Sequence, residues 1–137
     1  MKRIAVFGTF DIFHPGHISY LKQAKALGNY LLVVLARDQN VLWAKKKRPL
    51  NPEVKRARIV RKAGLADKVI RGSKTRNYFR TLRTYNIDTI ALGYDQKPTI
   101  KDLKKQLRRH RLAHLQVVRL KPYNPKKYKT SRLSNDV

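Results

Sequence analysis

Apolar positions along this chain fall into two alternating kinds of segment. Short runs rich in β-branched residues, at 4–7, 30–35, 68–71, 88–92 and 115–120, are each long enough for one strand, and between them apolar residues recur every three or four positions. Residues 30–35 are almost uniformly apolar, the pattern of a parallel strand covered on both faces. Ile18, Leu21, Ala24 and Leu27 predict a helix behind the first strand, with Gly28 and Asn29 as its stop. Asn51 with Pro52 behind it reads as an N-cap followed by proline at the first helical position, opening a helix through Val54, Ala57, Ile59 and Val60 to Gly64. A basic helix is expected over 75–85, with Phe79 and Leu82 facing inward, and another over 99–110 on Ile100, Leu103 and Leu107. Residues 38–51 have no clean period and are expected to be a loop or a frayed helix. The tail from Lys121 is expected to be extended by Pro122 and Pro125.

Strands alternating with helices imply a doubly wound parallel sheet of about five strands in a three-layer α/β/α arrangement. The 137 residues suit one domain, 1–137, with a basic, proline-containing tail from about 121. In such sheets ligands bind outside the carboxyl ends of the strands. His14 to His17, Arg37-Asp38, Gly93 to Gln96 and the tail after Leu120 all fall at those ends.

Composition adds one strong feature. Lys and Arg number 33 against 8 Asp and Glu, a formal charge of +25, and such a surface attracts polyanions, either a nucleotide substrate or a nucleic-acid backbone. No apolar run is long enough to cross a membrane, and the short run behind Met1-Lys2-Arg3 is a poor secretory signal. The absence of cysteine fits a cytoplasmic protein and leaves no thiolate metal site.

The stretch from Gly8 to His17 carries the candidate chemistry. Gly8 permits a tight exit from the first strand, Pro15 stands where a first helical residue would, and Gly16 lets an anion approach the backbone. A helix N-terminus offers unpaired N–H groups and the positive end of a dipole. His14 and His17, three apart, can project to one side and donate to phosphate oxygens as charge builds in a transition state. The same pair could instead be packed side chains, or part of a metal site completed by Asp11 and further ligands.

Gly8-Thr9-Phe10-Asp11 followed by His14-Pro15-Gly16-His17 resembles the first signature of the cytidylyltransferase-like nucleotidyltransferases, His-x-Gly-His. Arg37-Asp38, the basic loop before Arg56, the Leu-Gly-x-Asp turn at Leu92 to Asp95 and a late Thr-Ser pair resemble later elements of that family, in order. The resemblance implies a Rossmann-like fold and attack by an acceptor phosphate on the α-phosphorus of a nucleoside triphosphate, with pyrophosphate leaving and Mg²⁺ or another divalent cation assisting. It implies that His14 and His17 stabilise the developing charge and that Lys45, Lys46 and Lys47 close over the phosphates. Gly8, Thr9, Phe10, Gly16, Gly93, Asp95, Lys129, Thr130 and Ser131 would bind the nucleotide and its phosphates. Asp11, Asp38 and Arg56 would meet the acceptor, with Asp11 also a candidate metal ligand. Relatives of this kind are commonly homodimers.

Val34 to Asp38, Lys47 to Pro49, Ala91 to Gln96 and Val117 to Leu120 resemble stretches of the archaeal-type FAD synthetases, which adenylylate FMN. That resemblance favours ATP and FMN as substrates over CTP with glycerol 3-phosphate or a similar phosphorylated alcohol. Trp43 and Tyr94 are candidates to stack on a flavin or base. A third reading is a catalytically silent module that binds nucleic acid through Arg76, Arg80, Arg83, Lys104, Lys105, Arg108, Arg109 and Arg111; it is not favoured, because such a module has no need of two histidines.

Overall fold

Five parallel strands make the centre of the chain, in the order β3-β2-β1-β4-β5. They are β1 (Arg3–Gly8), β2 (Tyr30–Leu35), β3 (Lys68–Arg71), β4 (Thr89–Leu92) and β5 (Gln116–Arg119). Among the described residues five helices connect them: α1 (Pro15–Ala26), α2 (Asp38–Lys45), α3 (Glu53–Lys62), α4 (Phe79–Thr84) and α5 (Ile100–Arg109). The computed structural model describes residues 2–74 and 77–123. No described helix is long and apolar enough to cross a membrane.

The period of two along the strands sorts their side chains into two cores. Ile4, Val6, Leu31, Val33 and Leu35 pack with Leu21 and Ala24 of α1 and with Ala57 and Val60 of α3. Ala5, Leu32, Val34, Ile90 and Leu92 pack on the opposite face with Phe79 and Leu82 of α4 and with Leu103 and Leu107 of α5. This is the three-layer, doubly wound, Rossmann-like arrangement the periodicity implied. The chain runs outward from β1 to β3 and then returns to place β4 on the other side of β1, so the strand order reverses at the β1/β4 boundary. Crevices outside strand ends open at such a boundary.

Three local expectations change. Residues 38–45 form a regular helix, because Asp38 supplies a carboxylate to its first turn, Val41 is buried, and Lys46 ends it with a left-handed backbone at φ 62°. Asn51 does not cap α3: Pro52 holds the cap position, and the Asn51 side chain donates to the Asp11 carbonyl at 2.6 Å instead. The helix expected from 75 begins at Phe79, whose N–H is bonded by the Asn77 side chain at 3.2 Å; Thr75 and Arg76 lie outside the described residues.

Candidate active site

Strand β1 delivers its carboxyl end into a turn that packs aromatic rings around two histidines. Phe10 takes a left-handed backbone, φ 52°, which folds its ring back over Gly8; a Cβ on Gly8 would stand 2.8 Å from that ring. The Phe10 ring meets His17 edge-on at 5.1 Å, and Phe13 stacks on His17 at 5.5 Å. His14 lies on the remaining side, with ring centroids 4.0 Å apart.

The histidines cap the helix they begin. His14 has extended backbone at the cap position, with Pro15 following at the first turn as its fixed φ favours. The His14 Nδ1 accepts the Gly16 N–H at 3.0 Å, and the His14 N–H donates to the His17 Nδ1 at 3.3 Å. This is the reciprocal logic of a capping box, built here from imidazoles. With Nδ1 accepting in both rings, the neutral forms carry their proton on Nε2. Burial pushes the His14 pKa down. Burial also pushes His17 down, and with the neighbouring His14 charge it overcomes a hydrogen bond with the Ile12 backbone to leave His17 at about 3. Both rings are therefore neutral N–H donors at pH 7 before an anion arrives, and a bound polyphosphate would draw them toward the charged form.

Two clefts flank this loop and share Phe7, Gly8 and Thr9 as a common wall. The first, between β1 and β4, is lined also by Phe10, Gly16 and His17 and by Gly93, Tyr94, Asp95 and Gln96. Gln96 fixes its far wall: it donates to the Phe7 carbonyl at 2.6 Å and accepts from the Gly93 N–H at 3.0 Å and the Tyr20 hydroxyl at 3.3 Å. Arg119 holds the same turn by donating to the Gly93 carbonyl at 2.9 Å. Lys121 and Tyr123 reach this cleft because Gln23 pins the Lys121 backbone to α1 through its N–H at 2.9 Å and its carbonyl at 3.0 Å. The second cleft lies over β2 and is lined by Arg37, Asn40, Lys45, Ser73 and Tyr78 among others.

Beneath the second cleft the polar residues form a lattice. Arg56 is fully buried. Its guanidinium donates to the carbonyls of Thr9 at 2.7 Å, Ala36 at 2.8 Å and Asn51 at 3.0 Å and to Asp38 Oδ1 at 2.8 Å. The other Asp38 oxygen accepts the Glu53 N–H, while Glu53 accepts the Asp38 N–H, each at 3.1 Å, so α2 and α3 cap one another. Asp11 is 1% exposed, and its two carboxylate oxygens accept the N–H groups of Leu50 and Asn51 at 2.6 and 2.7 Å. The Asp11 carboxylate, expected to meet a metal or the acceptor, here holds the Leu50–Asn51 backbone and is out of reach of solvent. Arg56 and the partly exposed Asp38, also expected near the acceptor, form an ion pair that joins β1, β2, α2 and α3. Among the described residues no cluster of three or more histidines, cysteines or carboxylates could hold a metal ion.

The first cleft thus brings together Gly8, Thr9, Phe10, Gly16, His17, Gly93 and Asp95, with His14 stacked behind His17. Of the lysine run, Lys45 ends α2 and lines the second cleft, while Lys46 lies at 5.8 Å over the ring of Trp43. Trp43, on α2, is 62% exposed and lines neither cleft, whereas Tyr94 lines the first. Lys129, Thr130 and Ser131 lie outside the described residues. The sequence reading missed Tyr20, and it placed Gln96, Lys121 and Tyr123 at the ligand edge only as parts of longer stretches, without singling them out.

Residues 5–135 match the family described as cytidylyltransferase-like, and the chain belongs to that family. Within it, the chain is 43% identical over 121 residues to the FAD synthase of Archaeoglobus profundus, covering 88% of this chain and 76% of the relative. It is 38% identical over 133 residues to the FAD synthase of Thermococcus onnurineus, covering 96% and 87%. Among solved structures it superposes with a TM-score of 0.83 on the lipopolysaccharide core biosynthesis protein of Thermoplasma volcanium, at 34% identity over 90% of this chain and 99% of that one. Pantothenate synthetase of Thermus thermophilus shares the fold, with a TM-score of 0.63 at 11% identity, covering 88% of this chain and 55% of that one.

Proposed function

We propose that this chain is an FAD synthase: a nucleotidyltransferase that joins the AMP portion of ATP to the phosphate of FMN and releases pyrophosphate. The observation that carries the reaction class is the His14–His17 pair on the loop between two clefts that share the wall Phe7-Gly8-Thr9. Two substrates joined end to end through one phosphorus need two clefts meeting at one reactive point. The choice of FMN and ATP rests on the FAD synthases to which the chain is similar over most of its length.

In this reading ATP enters the cleft between β1 and β4, its phosphates against the start of α1 and its nucleoside toward Gly93 to Gln96. FMN enters the cleft over β2, near Arg37 and Lys45. An FMN phosphate oxygen attacks the α-phosphorus, the bond from that phosphorus to the α,β-bridging oxygen breaks, and pyrophosphate carries that oxygen away. No covalent enzyme intermediate is needed, so positioning and charge neutralisation do the work. His14 and His17 donate hydrogen bonds where charge grows, the His17 ring packed against Phe10 and Phe13 and the His14 ring stacked on it. The described residues do not fit a protein-held metal, since Asp11 is engaged with backbone. Mg²⁺ belongs to this account as part of the magnesium–triphosphate substrate, and no step is assigned to it. A homodimer is part of the same proposal and is checked by sedimentation.

Pyrophosphate release measured with Mg²⁺ tests the assignment. ATP with FMN should give turnover, and CTP with glycerol 3-phosphate should give at most one-hundredth of it. The reverse ranking would make the chain a cytidylyltransferase. Release from neither pair, nor from other phosphorylated acceptors, would remove the enzyme assignment.

A further inference from the structure

The sheet ends at β5, which pairs among the described strands only with β4. Between that strand and α5 runs a groove of about 450 Å³, lined by Lys104, Leu107, Arg108, His114, Gln116 and Val117 among others. A second recess at Lys2, Asp88 and Thr89 shares His114 and Gln116 with it, so the two continue around the amino ends of the strands, opposite the catalytic clefts.

The floor of the groove is aliphatic and its rim is cationic. Lys104 and Arg108 stand one helical turn apart on the same side of α5, both exposed, and neither is ion-paired with a described residue. The one carboxylate lining either recess, Asp88, is occupied inward, accepting the Arg3 N–H at 2.7 Å. Thr89 in the adjoining recess is fully buried with its hydroxyl unbonded. A second copy docked through this same groove would bring Lys104 and Arg108 against their own counterparts, which argues against it as the occupant of this face. His114 is the one ring lining either recess, so neither offers the row of stacking platforms that successive unpaired bases need. What remains complementary is a dense, regular row of negative charge that needs no base contacts.

We propose that this groove is a second binding site, separate from catalysis, that takes the sugar–phosphate backbone of duplex nucleic acid without reading its sequence. Lys104 and Arg108 contact phosphates, and Leu107 and Val117 pack beneath the backbone.

Fluorescence anisotropy with a labelled duplex, in RNA and DNA forms and across a salt series, tests this. The Lys104→Ala/Arg108→Ala variant should bind at least tenfold more weakly than the native chain at low salt. The slope of log affinity against log salt should flatten by about 1.8, at roughly 0.9 per lost phosphate contact. Pyrophosphate release should be unchanged in that variant, and His14→Ala/His17→Ala should bind the duplex as tightly as the native chain. Unequal affinity for the RNA and DNA forms identifies which duplex the groove accepts. Should the double variant lose its circular dichroism, Lys104→Ala alone should flatten the slope by about half as much. The proposal is overturned if neither duplex binds, if a single strand of the same sequence binds more tightly, or if Lys55→Ala/Arg58→Ala on the exposed face of α3 costs as much affinity. The duplex measurements stand whether or not the chain makes FAD.

Discussion

The two sides of the β1 loop handle polar groups in opposite ways. On the α1 side, His14 and His17 are wrapped in Phe10 and Phe13, and burial keeps them neutral with their Nδ1 atoms anchored in the helix cap. On the α3 side, the buried Arg56 and Asp11 and the partly exposed Asp38 are committed to backbone and, for Arg56 and Asp38, to one another. The first region keeps its imidazoles uncharged beside the cleft. The second uses charge to join segments, holding the Thr9 and Leu50 stretches in place. A polar side chain near a phosphate motif is thus no guide to its role until its hydrogen bonds are counted.

The sharpest way to break this contrast is at Arg56. Replacing it with methionine leaves the Asp38 carboxylate and three carbonyls without their donor, and removing one partner of a buried pair costs about 3–5 kcal/mol. Urea unfolding should show that loss. A variant of native stability with FMN affinity alone impaired would instead make Arg56 an acceptor ligand.

At the histidines the expected loss is catalytic. His14→Ala or His17→Ala should each reduce kcat by roughly 100- to 1000-fold, the cost of one transition-state donor. Far-ultraviolet circular dichroism should still report the native fold. A loss confined to KM would place the pair in ground-state binding only.

Asp11→Asn keeps one acceptor for the two N–H groups and should cost about 1–3 kcal/mol, the penalty for a buried donor left unsatisfied. The Mg²⁺ concentration for half-maximal activity should not move, whereas a metal ligand would raise it.

A further expected effect is a pH dependence. His17 has a folded pKa of about 3 against an ordinary value of 6.5. Between those values the unfolded chain binds a proton that the folded chain refuses, so this group makes stability fall as pH drops from 6.5 toward 3. His17→Gln should flatten that part of the curve; an unchanged curve would show that the ring is not the group responsible.

How much of this the sequence disclosed follows the same division. The short apolar runs located all five strands, with 30–35 and 68–71 matching their observed ends. The helix start at Pro15 was legible because proline and glycine act locally. Segment 38–45 was not, because only Val41 is buried there and no apolar period forms. Arg56 was also hidden: it sits between the exposed Lys55 and the core residue Ala57, and a string of basic residues does not show which one turns inward. Its partners come from Thr9, Ala36 and Asn51, segments that only the tertiary fold brings together. His14 and His17 were legible as a pair, while their mutual cap and aromatic surround required the left-handed turn at Phe10.

The most direct test is FAD formation itself, followed by mass spectrometry with ATP, FMN and Mg²⁺, for the native chain and for His14→Ala/His17→Ala at matched folded concentrations. The native chain should form FAD, and the double variant should form it at least 100-fold more slowly. Equal rates from both proteins, or no FAD from the native chain, would contradict a synthase that works through this histidine pair.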